Sequence, residues 1–172
     1  KHEFERAVNA VCFTPRGLCC IGTENGIVTF WDTKTKSRTN KYELKKGGAQ
    51  ALCVSPNGDL LAVGNEKGEV ILFKSETFFE STSKPGPYST FRPVGGYEQA
   101  VSCLSFSPDE QILASGDVYY FLILRDVATG LIVAQYEHSA SILCVAFNKS
   151  GDLIAAGDSD NNLIIRSSPL KT

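Results

Sequence analysis

One motif recurs four times along this chain, and a repeat of that length dictates a fold more firmly than any single segment does. The first copy, VCFTPRGLCCIG over residues 11–22, runs on as TENGIVTFWD to Asp32. The second, LCVSPNGDLLAVG over 52–64, continues as NEKGEVILFK to Lys74. LSFSPDEQILASG over 104–116 and VAFNKSGDLIAAG over 145–157 follow, ending at Arg125-Asp126 and at Arg166. A glycine sets the register: Gly22, Gly64, Gly116 and Gly157 each stand nine residues before Trp31, Phe73, Arg125 and Arg166. Pro15, Pro56, Pro108 and the equivalent Lys149 are spaced by 41, 52 and 41 residues, so one unit carries an 11-residue insertion.

Each copy holds an apolar run ending at a Ser-Pro-type turn, a second ending at the glycine, and a third of alternating character after a polar tight turn. Three short strands joined by hairpins follow from that pattern, and a fourth fits before the next unit, as at 131–136. A four-stranded unit of 41 residues resembles the WD40 repeat, one blade of a β-propeller. The fold expected is all-β: a WD40-type propeller segment of four blades filling residues 1–172, the last blade lacking its outer strand. The repeat units fall at about 1–44, 45–96 with the insertion near 74–96, 97–137 and 138–172. The family closes rings of roughly seven blades, so the resemblance implies a segment of a larger ring. The missing blades are then further chain, a partner or a second copy. The lack of Met, at position 1 as elsewhere, gives the expectation of a chain that is processed, tagged or cut from something larger.

The resemblance also implies a buried network of His, Asp, strand Ser or Thr, and the Trp of a Trp-Asp pair. It is patchily filled. Trp31-Asp32 is intact in the first unit, but Asn25 and Phe4 stand at the Asp and His positions. Lys45, Lys67 and Phe73 replace His, Asp and Trp in the second unit, and Tyr97, Tyr119 and Arg125 in the third. In the fourth, His138 and Asp160 are in place and are expected to hydrogen-bond, while Arg166 replaces Trp. Trp31, Asp32, His138 and Asp160 are therefore assigned structural roles, and stacking between blades is left to carry most of the stability.

Charge and composition narrow the function. Lys and Arg number 17 against 19 Asp and Glu, a net of −2, which gives no global footprint for nucleic acid or an acidic membrane. No apolar run approaches the roughly 20 residues of a bilayer span, and residues 1–5 contain no signal-peptide core. Six cysteines without a C-x-x-C pair read as reduced, buried thiols packed as small hydrophobes, in an intracellular protein of cytoplasm or nucleus. With two histidines, His2 and His138, no triad or metal set assembles, so no catalytic residue, cofactor or metal ligand is assigned. Asp32, Asp59, Asp126 and Asp152 read as turn residues that cap their own backbone.

Two surfaces remain. In the family, the loops before the first strand and between the second and third strands gather on the face that binds partners. Carried over, that face contains Glu24, Asn25, Glu66, Lys67, Tyr97, Glu98, Tyr119 and Tyr120. Aromatics at polar turn positions are either contact residues for a partner or filling for the missing network. The second surface is the basic run Lys34, Lys36, Arg38, Lys41, Lys45 and Lys46. It is either a solvated outer strand or a site for nucleic acid, acidic lipid or an acidic partner. The insertion, rich in Ser, Thr, Pro and Gly, is expected to form a long loop anchored by Phe78, Phe79, Tyr88 and Phe91. Together these features point to a non-catalytic scaffold for protein–protein interaction inside a multiprotein assembly, with an RNA- or phosphoinositide-associated propeller as the alternative.

Overall fold

In every unit the second and third strands carry apolar residues on both faces, so each sheet needs a neighbour on either side. The computed structural model describes residues 3–76, 86–93 and 98–169 and stacks four antiparallel sheets as blades, which meets that demand for the two inner ones. Blade 1 is β1 (Val8–Phe13), β2 (Leu18–Thr23), β3 (Ile27–Asp32) and β4 (Ser37–Glu43). Blade 2 is β5 (Ala49–Val54), β6 (Leu60–Asn65), β7 (Val70–Lys74) and β8 (Ser89–Phe91). Blade 3 is β9 (Val101–Phe106), β10 (Ile112–Asp117), β11 (Phe121–Asp126) and β12 (Ile132–Glu137). Blade 4 holds β13 (Ile142–Phe147), β14 (Leu153–Asp158) and β15 (Leu163–Ser167). The strands run in chain order from the inner edge outward, and β1, β5, β9 and β13 pack side by side.

The core is divided among the gaps between blades. Leu18, Cys20, Val28 and Phe30 of blade 1 meet Leu61, Val63, Ile71 and Phe73 of blade 2. The alternate residues of the same blade 2 strands, Ala62, Val70 and Leu72, face Val101, Phe106 and Leu113 of blade 3. Ile112, Ala114, Leu122 and Leu124 then cover Ile142, Ile154 and Ala156. One strand thus serves two cores through its two-residue period.

The register glycine has a steric reason. A Cβ on Gly22 would lie 2.9 Å from Ala49, one on Gly64 would lie 2.5 Å from Val101, and one on Gly116 would lie 2.6 Å from Ile142. Each partner is the first residue of the next blade's inner strand, so the glycine is where adjacent blades approach most closely. The inner strands bulge one residue further on, at Asn9, Gln50, Ser102 and Leu143. Asn9 Nδ2 donates across the gap to the Ala49 carbonyl at 3.1 Å, and the Ser102 hydroxyl donates to that of Ile142.

Two expectations change here. The insertion is not all loop: its end forms β8, which pairs with β7 and buries Phe91, while Tyr88 is exposed beneath the Lys74 ammonium at 4.6 Å. Phe78 and Phe79 lie outside the described residues. The cysteines are not uniformly buried either: Cys20 is, Cys12, Cys19, Cys53 and Cys103 are half-buried, and Cys144 is exposed. Cys144 stands on the side of blade 4 turned away from blade 3, with Leu163 and Ile165, which are 69% and 60% exposed. Among the described residues no helix is long and apolar enough to cross a membrane.

Gly64→Ala should destabilise the fold by about 1–3 kcal/mol through overpacking against Val101. Gly157→Ala, whose Cβ would meet only the Cys144 sulfur, should cost less. Urea unfolding of the two variants checks the order.

Candidate functional site

Short polar turns close both ends of every blade, and the same chemistry repeats in each. At the lower end Thr14, Ser55, Ser107 and Asn148 accept, through their side chains, the N–H of Leu18, Leu60, Ile112 and Leu153. At the upper end the anchoring residue is the one directly after the register glycine. The Thr23 oxygen accepts the Ile27 N–H at 3.2 Å. Asn65 Oδ1 accepts Lys67 and Glu69, Asp117 Oδ1 accepts Tyr119 and Phe121, and Asp158 Oδ1 accepts Asp160 and Asn162. A backbone bond then ties each turn to the preceding interblade loop, from Glu24, Glu66, Val118 and Ser159 N–H to Ala7, Gly48, Ala100 and Ser141 carbonyls. The upper rim is a row of pinned turns.

This geometry corrects the fourth-unit network. His138 is buried but makes no hydrogen bond to Asp160, which is exposed. Its nearest carboxylate is Asp158, with Nδ1 to Oδ2 at 4.0 Å. Asp158 lies one residue after the glycine and points inward, whereas Asp160 lies at the turn's outer corner. Burial, and then the Arg166 charge, hold His138 below the ordinary imidazole range, with Asp158 opposing. Burial raises Asp158, but the Asn162 hydrogen bonds, the Asp160 N–H and His138 carry it below the usual carboxylate range. Backbone hydrogen bonds from Lys34 and Thr35 hold Asp32 low, and the Thr129 hydroxyl and N–H do the same for Asp126.

The residues at the Trp position share one task. Each turns toward the preceding blade and meets an aromatic of its outer strand. Phe73 lies edge-on to Tyr42 at 4.9 Å, Arg125 lies over Phe91 at 5.7 Å, and Arg166 lies over Tyr136 at 4.7 Å. A flat guanidinium takes the place of an indole. The sequence signal for this was an aromatic in each outer strand beside an arginine nine residues after the glycine. Trp31, which has no described blade before it, is half-exposed.

Glu24, Asn25, Glu66, Lys67, Tyr119 and Tyr120 all stand on the upper rim, with Glu98 at the blade 2–3 junction; Tyr97 lies outside the described residues. Lys67 pairs with Glu98 at 3.4 Å, and the Gln50 amide donates to Glu66 at 3.0 Å. Tyr119 and Tyr120 are 56% and 43% exposed and stack at 6.1 Å. Tyr120 has φ +79°, where the first two blades place Gly26 and Gly68 and the fourth Asn161. The basic run is not one patch. Lys34 and Lys36 occupy the lower β3–β4 turn, Arg38 and Lys41 lie on β4, and Lys45 and Lys46 follow at the upper end. Those ends are separated by the roughly 20 Å of β4, and Lys46 pairs with Glu69 and Glu98. Among the described residues no three His, Cys, Asp or Glu side chains gather to hold a metal.

Between blades 2 and 3, below Tyr119, lies a cavity of about 450 Å³. Val70, Phe91, Val101, Phe121 and Ile123 give it apolar walls. Arg125 enters from the wall of blade 3, its Nη1 donating to the Gly130 carbonyl at 3.0 Å and its Nη2 to that of Arg92 at 2.8 Å. Burial lowers the affinity of that guanidinium for its proton, and raises the Asp117 carboxyl at the upper rim.

Four-stranded blades stacked by their faces, with inner strands side by side, define a β-propeller. The family model "WD domain, G-beta repeat" matches residues 87–118 and 130–166, and the chain belongs to the WD40-repeat family. A Protein LST8 homolog of Drosophila melanogaster is 30% identical over 121 residues, 67% of this chain and 37% of its own length. Meiotic recombination protein rec14 of Schizosaccharomyces pombe is 28% identical over 122 residues, 69% of this chain and 36% of its own. The chain thus spans little more than a third of these relatives. Among solved structures, the Cps50 (Swd1) β-propeller domain of Myceliophteria thermophila superposes with a TM-score of 0.82 at 16% identity, over 95% of this chain and 55% of that one.

A neutral, buried His138 makes acid unfavourable to the fold. The unfolded chain takes up a proton near pH 6.5 that the folded chain resists, so this stability is complete above that range and falls as the pH drops through it. Urea midpoints between pH 7.5 and 5.5 should decline for the native chain and decline less for His138→Gln. Equal slopes would assign the pH dependence to other groups.

Proposed function

We propose that this chain is part of a non-catalytic intracellular scaffold whose upper rim binds another protein inside a multiprotein assembly. The observation that carries the reading is Tyr120. A bulky side chain at positive φ costs about 1–3 kcal/mol, and the equivalent turns in blades 1 and 2 avoid that cost with glycine. Here the strain holds a stacked, exposed tyrosine pair on a pinned turn, and exposed tyrosines are prominent among interface contact residues. Filling a void would have needed the rings inside. The relatives support a scaffold in general terms, since stretches of similar sequence occur in proteins named as differently as LST8 homolog and meiotic recombination protein rec14. The dispersal of the six basic residues over both ends of blade 1 weighs against the RNA or phosphoinositide alternative, which needs them on one face.

Tyr120→Gly should leave thermal stability equal or raise it by up to about 1 kcal/mol, by relieving backbone strain. In cells, a photo-crosslinking amino acid at position 120 should capture a discrete protein partner that the same group at Thr35, on the lower turn, does not. Equal capture at both positions would defeat the reading.

A further inference from the structure

The cavity beneath Tyr119 is lined by Arg125, which stands at the Trp position of the repeat, and its polar content is unequal in charge. Among the described residues two cations line it, Arg125 from β11 and the exposed Arg92 that follows β8, against the single carboxylate of Asp117 at the rim. Asp117 is already occupied by the N–H groups of Tyr119 and Phe121. Among the described residues, no carboxylate lies within ion-pair distance of either arginine. Arg125 uses two of its five N–H donors on the Gly130 and Arg92 carbonyls, and these fix the plane of the guanidinium. At Arg166, which holds the equivalent position over Tyr136 at 4.7 Å, the guanidinium lies closer to its ring than Arg125 does to Phe91 at 5.7 Å.

We propose that this cavity is a specificity pocket for a peptide carrying a carboxylate beside a bulky apolar side chain, the side chain filling the space between blades 2 and 3 and the carboxylate meeting Arg125 and Arg92. The pocket deepens the rim-binding reading and rests on it for its choice of a peptide. Its volume of about 450 Å³ exceeds what one aromatic side chain fills, which leaves room for the adjoining backbone. Gln99 and Gln135, which also line the cavity, offer neutral amide groups to that backbone. The walls supply burial without direction, and the cations supply direction, a division typical of small recognition pockets.

The test uses the whole chain and three probes, followed by saturation-transfer NMR with competition titrations. N-acetyl-phenylalanine presents a terminal carboxylate, N-acetyl-aspartyl-phenylalanine amide presents a side-chain carboxylate, and N-acetyl-phenylalanine amide presents none. At least one carboxylate probe should bind about tenfold more tightly than the amide, the gain expected from a charge-assisted hydrogen bond. Whichever is tighter identifies the source of the carboxylate. Arg125→Gln should erase the preference, and Arg125→Lys should keep part of it. Should Arg125→Gln fail to fold, as judged by its circular dichroism melt, Ile123→Phe decides the matter, because filling the cavity must weaken all three probes. Equal affinity of the three probes for the native chain, no binding of any, or a carboxylate preference that survives Arg125→Gln would overturn the pocket. Capture at position 120 without probe binding would overturn the pocket alone; probe binding without capture would overturn the rim as a protein-binding face.

Discussion

Face-to-face burial between neighbouring blades is the interaction on which the rest of this structure depends. No blade encloses a core of its own: Phe30 is buried by blade 2, Leu72 by blade 3 and Leu122 by blade 4. A sheet of three or four strands has two faces and little thickness, so its apolar residues leave water only when another sheet lies against them. The requirement fixes the closest approach at Gly22, Gly64 and Gly116, and it forbids a side chain there. It also explains the exposed Leu163, Ile165 and Cys144, which are core residues by type on a face without a described neighbour.

Once apolar stacking carries stability, the hydrogen-bond network of the repeat family is free to vary. Arg125 and Arg166 stand where the family has Trp, and each keeps the geometric role by lying over an outer-strand aromatic of the blade before it. The upper turns are held by Thr23, Asn65, Asp117 and Asp158, three kinds of side chain with one acceptor position in common. Rigid turns of this kind can present unusual residues without loss of order, and Tyr120 at φ +79° is the clearest case. The cavity at Arg125 is the same freedom seen from inside: a guanidinium reaches as far as an indole but fills less space.

Much of this was legible in the chain. The glycine register and the two-faced apolar strands settle the blades, because period and close approach are properties of local sequence. The turn residues were legible by type, although the network was assigned to Asp160 when Asp158 is the one that faces His138. The two are separated by a single residue in a tight turn, and only the direction of the side chain tells them apart. β8 was read as loop because its short strand lies inside the insertion, and the strand is defined by pairing with β7 rather than by its own pattern.

The sequence by itself determined the class of fold, the number of blades in this segment and the rim position of the tyrosine pair, since each follows from spacing along one strand or one turn. Tertiary structure alone decided that the basic run is dispersed, that Arg125 and Arg166 stack on aromatics of another blade, and that a cavity lined by Arg125 and Arg92 opens below Tyr119. These depend on which residues of different blades come face to face. That pairing is set by the gap between sheets, and no periodicity within a single repeat records it.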